Sequence, residues 1–372
     1  MAEKKVKIGF VGCGGIANFH FGHYDNNKIP NAQIVAVCDL LDDRAQKAAE
    51  RFNAKPYKCW KEMLDKEKLD ALYVCVEPCA HTRKDGGMEL AAVEKGINLF
   101  VEKPVALDLA FAKKVEAGLL KKGLINAAGF QDRYIDFIPF MKNWVANAKV
   151  GFFNAYWVGG MPGVWWWRRR DTSGGQAVEQ TIHTFDMCRN LFGEVVEVSA
   201  FGRRGIITDV ENYDTEDASA VNLKFANGII GTVYSGCFVR GGGGENGIRV
   251  YTMNGKLDYV ERSSLTITEP HRTLSFKVGN DYGQDEDVAF IDAILEKDQS
   301  IIISSYSEAV KNLEVTLAAN ESMDNNGKVI TLNQGCCCCA KKAAPAKKKA
   351  AKKSSPSNSL KNHQRHRPNR AV

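Results

Sequence analysis

The residue types best suited to moving a proton lie in one run, SGGQAVEQTIHTFDMCRNLFG (173–193), which carries Glu179, His183 and Asp186. Read as a helix over 177–192, the spacing i, i+4, i+7 at about 100° per residue projects all three from one face, within roughly 60°. An imidazole titrates near neutral pH and carboxylates can orient it, so the trio suits proton transfer. The same spacing would also suit a metal site or a satisfied polar cluster at a domain interface, and spacing alone leaves all three readings open. A second signal is Glu102-Lys103-Pro104 at the end of the β-type run INLFVEKP (97–104). In open α/β sheets ligands bind outside the carboxyl ends of the strands, so Lys103 either reaches into that crevice or is a surface lysine beside a turn proline. A third is Met161-Pro162-Gly163-Val164-Trp165-Trp166-Trp167-Arg168-Arg169-Arg170. Consecutive tryptophans cannot all face one core. With arginine alongside they suit either a sugar's C–H faces and hydroxyls or an interface between protein surfaces.

A nucleotide signal precedes these. Gly12-Cys13-Gly14-Gly15-Ile16-Ala17 follows the strand VKIGFV (6–11) and opens a stretch that can be helical. This is the dinucleotide fingerprint in its alanine-terminated form. Gly12 permits the tight turn, Gly14 lets the backbone approach a pyrophosphate, and Ala17 lets the helix pack closely on the sheet. The free N–H groups of the helix N-terminus face the phosphates. Asp39 ends the next strand, AQIVAVCD (32–39), where a ribose-binding acid belongs. Its carboxylate accepts from two ribose hydroxyls and repels a 2′-phosphate, so NAD is expected and NADP is less favoured. Arg44 reads as a surface charge.

The elements that must position these residues alternate between strand and helix up to about residue 130, which indicates a parallel sheet with crossover helices. Thereafter come a helix (137–148), the aromatic segment and the helix at 177–192. Strand runs follow at 195–202, 217–236, 248–260 and 264–269, with hairpin signals at Asn227-Gly228 and Asn254-Gly255. Helices at 287–298 and 307–326 close the chain. The expected fold is α/β, with an N-terminal doubly wound Rossmann domain (1–128). An α+β domain (129–334) with a large open, mostly antiparallel sheet follows.

The composition changes at Gly335. The tail 335–372 holds eleven Lys/Arg and no acid, leaving 39 basic and 44 acidic residues before it, so the body carries −5 while the whole chain carries +6. Such a segment buries too little apolar surface to order itself, and is expected to be disordered. It lacks aromatic residues for base stacking, so nucleic acid is a disfavoured partner. Seven of the eleven cysteines are scattered through the body and four are consecutive at 336–339. Neither arrangement has the spaced pairs of a zinc site or a secreted disulfide framework, and no metal is expected. No apolar run of eighteen residues occurs, which excludes a transmembrane helix and suggests a cytoplasmic protein.

Taken in order, Gly12–Ala17, Val76-Glu77-Pro78 with His81, Glu102-Lys103-Pro104, Gly129-Phe130-Gln131 with Arg133-Tyr134, and Gly174-Gly175 followed by His183 and Asp186 resemble the glucose–fructose oxidoreductase / inositol dehydrogenase / rhizopine catabolism (Gfo/Idh/MocA) family over about residues 5–333. The resemblance implies a nicotinamide cofactor held by residues 12–17, Asp39, Pro78, His81, Glu102 and Lys103. It implies a sugar, cyclitol or glycoside substrate contacted by Lys103, Arg133, Tyr134, Trp165, Trp166, Arg168, Glu179, His183 and Asp186. The open sheet would make a homodimer or homotetramer. His183 would take the hydroxyl proton while Lys103 supports the oxygen, with Glu179 or Asp186 orienting the histidine or meeting the substrate. Many members carry aspartate where this chain has Glu179. A redox-neutral glycoside-cleaving enzyme and a non-catalytic dinucleotide sensor are the alternatives.

Overall fold

The computed structural model describes residues 5–84 and 86–332; the basic tail and its four cysteines lie outside the described residues. Six strands, β1 (Val6–Val11), β2 (Ala32–Cys38), β3 (Lys55–Tyr57), β4 (Ala71–Val74), β5 (Asn98–Val101) and β6 (Asn126–Ala128), form one all-parallel sheet in the order β3-β2-β1-β4-β5-β6. The sequence reasons are local. β1 and β4 are near-continuously apolar because helices cover both faces of the sheet. β3 contains Pro56, which lacks a ladder donor and sits on an edge strand. The crossover elements are α1 (Gly15–Tyr24), α2 (Asp42–Phe52), α3 (Trp60–Lys66), α4 (Met88–Lys95) and α5 (Leu109–Lys122). In α2 the small residues Ala45, Ala48 and Ala49 form the buried stripe. The strand order reverses between β1 and β4, the switch point where such sheets open a crevice.

The remaining helices are α6 (Ile138–Ala146), α7 (Arg170–Ser173), α8 (Gln176–Glu179), α9 (Ile182–Phe192), α10 (Tyr282–Glu296) and α11 (Tyr306–Asp324). They accompany nine strands: β7 (Val150–Val158), β8 (Val195–Arg203), β9 (Ala218–Phe225), β10 (Ile230–Gly236), β11 (Glu245–Thr252), β12 (Gly255–Val260), β13 (Ser264–Glu269), β14 (Arg272–Lys277) and β15 (Ile330–Thr331). These make a sheet ordered β14-β13-β12-β11-β7-β10-β9-β8-β15. It is antiparallel except where β7 runs parallel to β10, because the long segment between β7 and β8 folds as helices and returns the chain to the other end of the sheet. β3, β7, β14 and β15 were not anticipated as strands. One face is buried by Phe153, Ala155, Val221, Leu223, Val233, Ile248 and Val250 packed with residues of α6, α9 and α11. α10 and α11 also return to the first sheet, where Phe290 packs with Phe100 and Tyr306 joins the cluster of Leu99 and Val115.

The helix anticipated over 177–192 is broken at Gln180–Thr181, so Glu179 closes one short helix and His183 lies in the first turn of the next. Gly174 and Gly175 enter α8 at φ +84° and +91°, and the buried Glu216 carboxylate accepts from Gln176 N and Ala177 N at 2.9 and 3.3 Å. The break frees the Glu179 carbonyl, which accepts from Lys103 Nζ at 2.9 Å instead of from a helical amide.

Candidate functional site

The turns that follow β1, β2, β4, β5 and β6 carry the residues singled out above, so the parallel sheet gathers them at its carboxyl edge. Gly12 has φ +90°, and a Cβ there would stand 2.2 Å from the Cys75 carbonyl oxygen at the end of β4. Only glycine fits this turn. Gly14 caps α1 without any side-chain acceptor, leaving the first amides of that helix open to an anion. Ala17 is fully buried against the sheet. Asp39 accepts from Cys13 N and from Leu41 N, both at 2.8 Å, and so is fixed beside the turn. Arg44 Nη1 lies 3.7 Å from where a Gly14 Cβ would be, facing the turn rather than standing free as a surface charge. Cys13 is buried; burial, and then the Asp39 charge, push its thiol up to about 12. This cradle of glycines, open amides and one acid fits the diphosphate and ribose of a dinucleotide.

Pro78 and His81 bound a short 3-10 turn after β4. His81 is buried and its Nδ1 is bonded to Glu89. Glu102 is braced from behind: His20 Nε2 meets its Oε1 at 2.9 Å, and its Oε2 accepts from Lys103 N at 3.1 Å. His20 Nδ1 in turn meets Asp287 at 2.9 Å, an oxygen also approached by Tyr73 OH at 2.9 Å, while His23 Nδ1 reaches the other Asp287 oxygen at 2.6 Å. Burial alone would lower the His20 pKa, but Asp287 and Glu102 outweigh it and hold it well above its ordinary value, as an imidazolium between two carboxylates. His20, His23 and Asp287 form a group of metal-ligand types. Each of the three already has a hydrogen-bond partner, so the cluster is accounted for as a brace. None of the three was singled out from the sequence.

At the reacting end, Lys103 Nζ donates to Glu179 Oε1 at 2.7 Å as well as to its carbonyl. An ammonium has three donors, so one remains for a substrate oxygen. The other Glu179 oxygen accepts from Trp167 Nε1 at 2.9 Å. Trp167 is fully buried. Its indole therefore anchors the carboxylate, a use of the tryptophan run that its sequence did not reveal. His183 is buried, stacked on Trp157 at 6.1 Å between ring centroids and met edge-on by Phe130 at 5.8 Å. Its Nδ1 is buried without a hydrogen-bond partner, and Asp132 Oδ2 stands 4.0 Å away. Burial, then the positive charges of Arg262 and Lys103, push its pKa well below the ordinary value of 6.5, so the ring is neutral at physiological pH.

Two anticipated contacts are used differently. Asp186 does not face His183 or an open pocket. Its carboxylate accepts from Arg133 Nε and Nη2 at 2.9 and 2.6 Å and from Asn312 at 2.6 Å. Arg133 and Asp186 are thus engaged with each other, because a buried charge needs a paired partner. The Tyr134 hydroxyl accepts weakly from Ile303 N and Ser304 Oγ, each at 3.4 Å. In the tryptophan segment Trp165 is 62 % exposed, Trp166 half-buried, and Arg168 has no ion-pair partner among the described residues. Among the described residues no helix is long and apolar enough to cross a membrane.

The profile described as an oxidoreductase family with an NAD-binding Rossmann fold matches residues 6–130, and that of the GFO/IDH/MocA C-terminal domain matches 146–258. Myo-inositol 2-dehydrogenase of Thermotoga maritima is 28 % identical over 61 % of this chain and 67 % of its own length. The scyllo-inositol 2-dehydrogenase (NAD(+)) of Bacillus subtilis is also 28 % identical, over 62 % of this chain and 67 % of its own length. Among solved structures, levoglucosan dehydrogenase in complex with NADH and levoglucosan superposes with a TM-score of 0.78 at 18 % identity, covering 89 % of this chain and 100 % of that one. The WlbA dehydrogenase of Bordetella pertussis, in complex with NADH and UDP-GlcNAcA, gives 0.74 at 19 % identity, over 89 % and 99 %. At such identities the structures attest the fold.

Proposed function

The chain belongs to the Gfo/Idh/MocA family of NAD-dependent oxidoreductases, and from that premise we propose that it oxidises, reversibly, a ring secondary hydroxyl of a sugar, cyclitol or glycoside. The observation that carries this reading is the pairing of Lys103, locked by Glu179, with a buried neutral His183 at the carboxyl edge of the dinucleotide-binding sheet. When bound, NAD supplies the hydride acceptor. His183, neutral and enclosed by Trp157 and Phe130, takes the hydroxyl proton, a contribution of about 10²–10⁴ in rate. The third donor of Lys103 bonds the substrate oxygen as it becomes a carbonyl, stabilising developing negative charge in a site shielded from water. Glu179 holds the ammonium in place. Asp39, fixed at the turn, receives the ribose hydroxyls and sets a preference for NAD over NADP; Arg44 meets phosphate. Trp165 and Trp166 offer apolar faces to the ring C–H bonds.

The test is a panel of sugars, inositols and aryl glycosides incubated with protein and NAD or NADP, followed by nicotinamide absorbance and aglycone release. The expected result is NADH growth on a polyol, faster than with NADP. His183→Ala and Lys103→Ala should each lower turnover by at least about 10² with NAD affinity nearly unchanged. Near-normal turnover in either variant would remove that residue's role.

A further inference from the structure

We propose that Asp132, carried on the turn after β6, is the positioning carboxylate of His183, directing its Nδ1–H inward so that Nε2 presents its lone pair to the substrate hydroxyl. The inference rests on the reading of His183 as the base and adds a residue to it.

The geometry separates the two ring nitrogens. Nδ1 is buried and lacks a partner, with Asp132 Oδ2 4.0 Å away; Nε2 is not among the buried unpartnered atoms. A neutral imidazole has one N–H and one lone pair, and the partner of one nitrogen decides which the other presents. A buried acceptor facing Nδ1 selects the Nδ1–H tautomer, the one a base acting through Nε2 requires. The gap exceeds a hydrogen bond, as is common before substrate and cofactor close a site.

Asp132 is itself held in a fixed orientation. Arg262 Nε donates to its Oδ1 at 2.6 Å, and Nη2 reaches Oδ2 at 3.3 Å. Arg262 sits at φ +56° in the turn between β12 and β13, with its guanidinium over the Trp157 ring that stacks on His183. Its neighbour Glu261 is buried. Burial, then the Asp132 charge, push that carboxyl well above its ordinary value, so it is protonated and adds no second negative charge. The charged or titratable groups around His183 are thus Asp132 and Arg262 with Glu261 behind them, and Lys103 on the substrate side. With two cations nearby, Asp132 is the group that opposes them when His183 becomes an imidazolium.

The prediction is read in two ways. In Asp132→Asn, kcat should fall about 10²–10⁴-fold while KM and NAD affinity change by less than about threefold. Removing the carboxylate lowers the imidazolium's stability further. The acidic limb of kcat/KM, where protonation of the base abolishes activity, should therefore move to lower pH. A merely structural role would not move that limb, and Asp132→Glu should restore part of the rate. Without relying on any Asp132 variant, ¹⁵N-histidine NMR of the unmutated protein with NAD bound reads the tautomer directly, with His183→Gln identifying the resonance. Protonated Nδ1 and bare Nε2 are expected. The opposite tautomer, or a folded Asp132→Asn with kcat unchanged, overturns the proposal. If the unmutated protein oxidises no polyol, the functional reading fails, while the tautomer still decides the pairing of Asp132 with His183.

Discussion

At the scale of single residues, the site depends on charges whose partners come from distant parts of the chain. Lys103, His183 and Glu179 were legible in the sequence because their types and local motifs are distinctive. Trp157, Asp132 and Arg262 were not: each reaches the site from a different element, and no short spacing links residue 262 to residue 132. The same holds for the brace behind Glu102, where residue 20 meets residue 287. Replacing His20 by Asn leaves Asp287 and Glu102 without the imidazolium that joins them, and removing one member of a buried pair costs about 3–5 kcal/mol. We expect that loss in urea unfolding. Its pH dependence has a definite sign. The His20 pKa is raised on folding, so its contribution is complete below about pH 6.5, shrinks as pH rises beyond that, and is gone above the folded-state value. The gap between His20→Asn and the unmutated protein should accordingly narrow from neutral to alkaline pH; a constant or widening gap would contradict a charged His20.

At the scale of elements, alternation of strand and helix marked the first sheet, and the asparagine–glycine turns marked two hairpins of the second. The break between α8 and α9 was hidden because both pieces share one apolar periodicity. What interrupts them is tertiary: Glu216 bonds the amides at the start of α8, and Lys103 takes the Glu179 carbonyl. β7 was obscured because its burial pattern is interrupted near its start. The turn after β1 allows a sharper test. In Gly12→Ala the new methyl would meet the Cys75 carbonyl at 2.2 Å, with φ at +90°. Strain of this kind costs about 1–3 kcal/mol, and the turn must shift away from its cradle geometry. Calorimetry should find NAD binding lost or at least tenfold weaker, by about 1.4 kcal/mol or more. Retained affinity would mean that this turn does not hold the diphosphate.

At the scale of the whole molecule, the nine-stranded sheet has two unlike faces. One is buried by helices. The other exposes Phe152, Phe201 and Ile230 at 51, 61 and 54 %, and the register sets Phe152 opposite Ile230 on neighbouring strands. An apolar sheet face of this kind marks an interaction surface, and we expect it to join copies of this chain. Phe152→Lys with Ile230→Lys should shift sedimentation equilibrium toward monomer with little change in the fold; an unmutated protein that is already monomeric would contradict this. The architecture was legible because strand and helix periodicities are local. Which face of the second sheet stays exposed was not, since alternation shows that a strand has two faces but not what covers each.

In the proposed reaction, hydride leaves a ring carbon while His183 and Lys103 manage the oxygen and its proton. The most direct measurement is to supply NAD with inositols and hexoses deuterated at every ring carbon, and to follow the label into the reduced cofactor by mass spectrometry. Deuterium on the nicotinamide, abolished by His183→Ala and by Lys103→Ala, is the expected result. Substrate consumption without label reaching the cofactor, or label transfer undiminished in both variants, would contradict it.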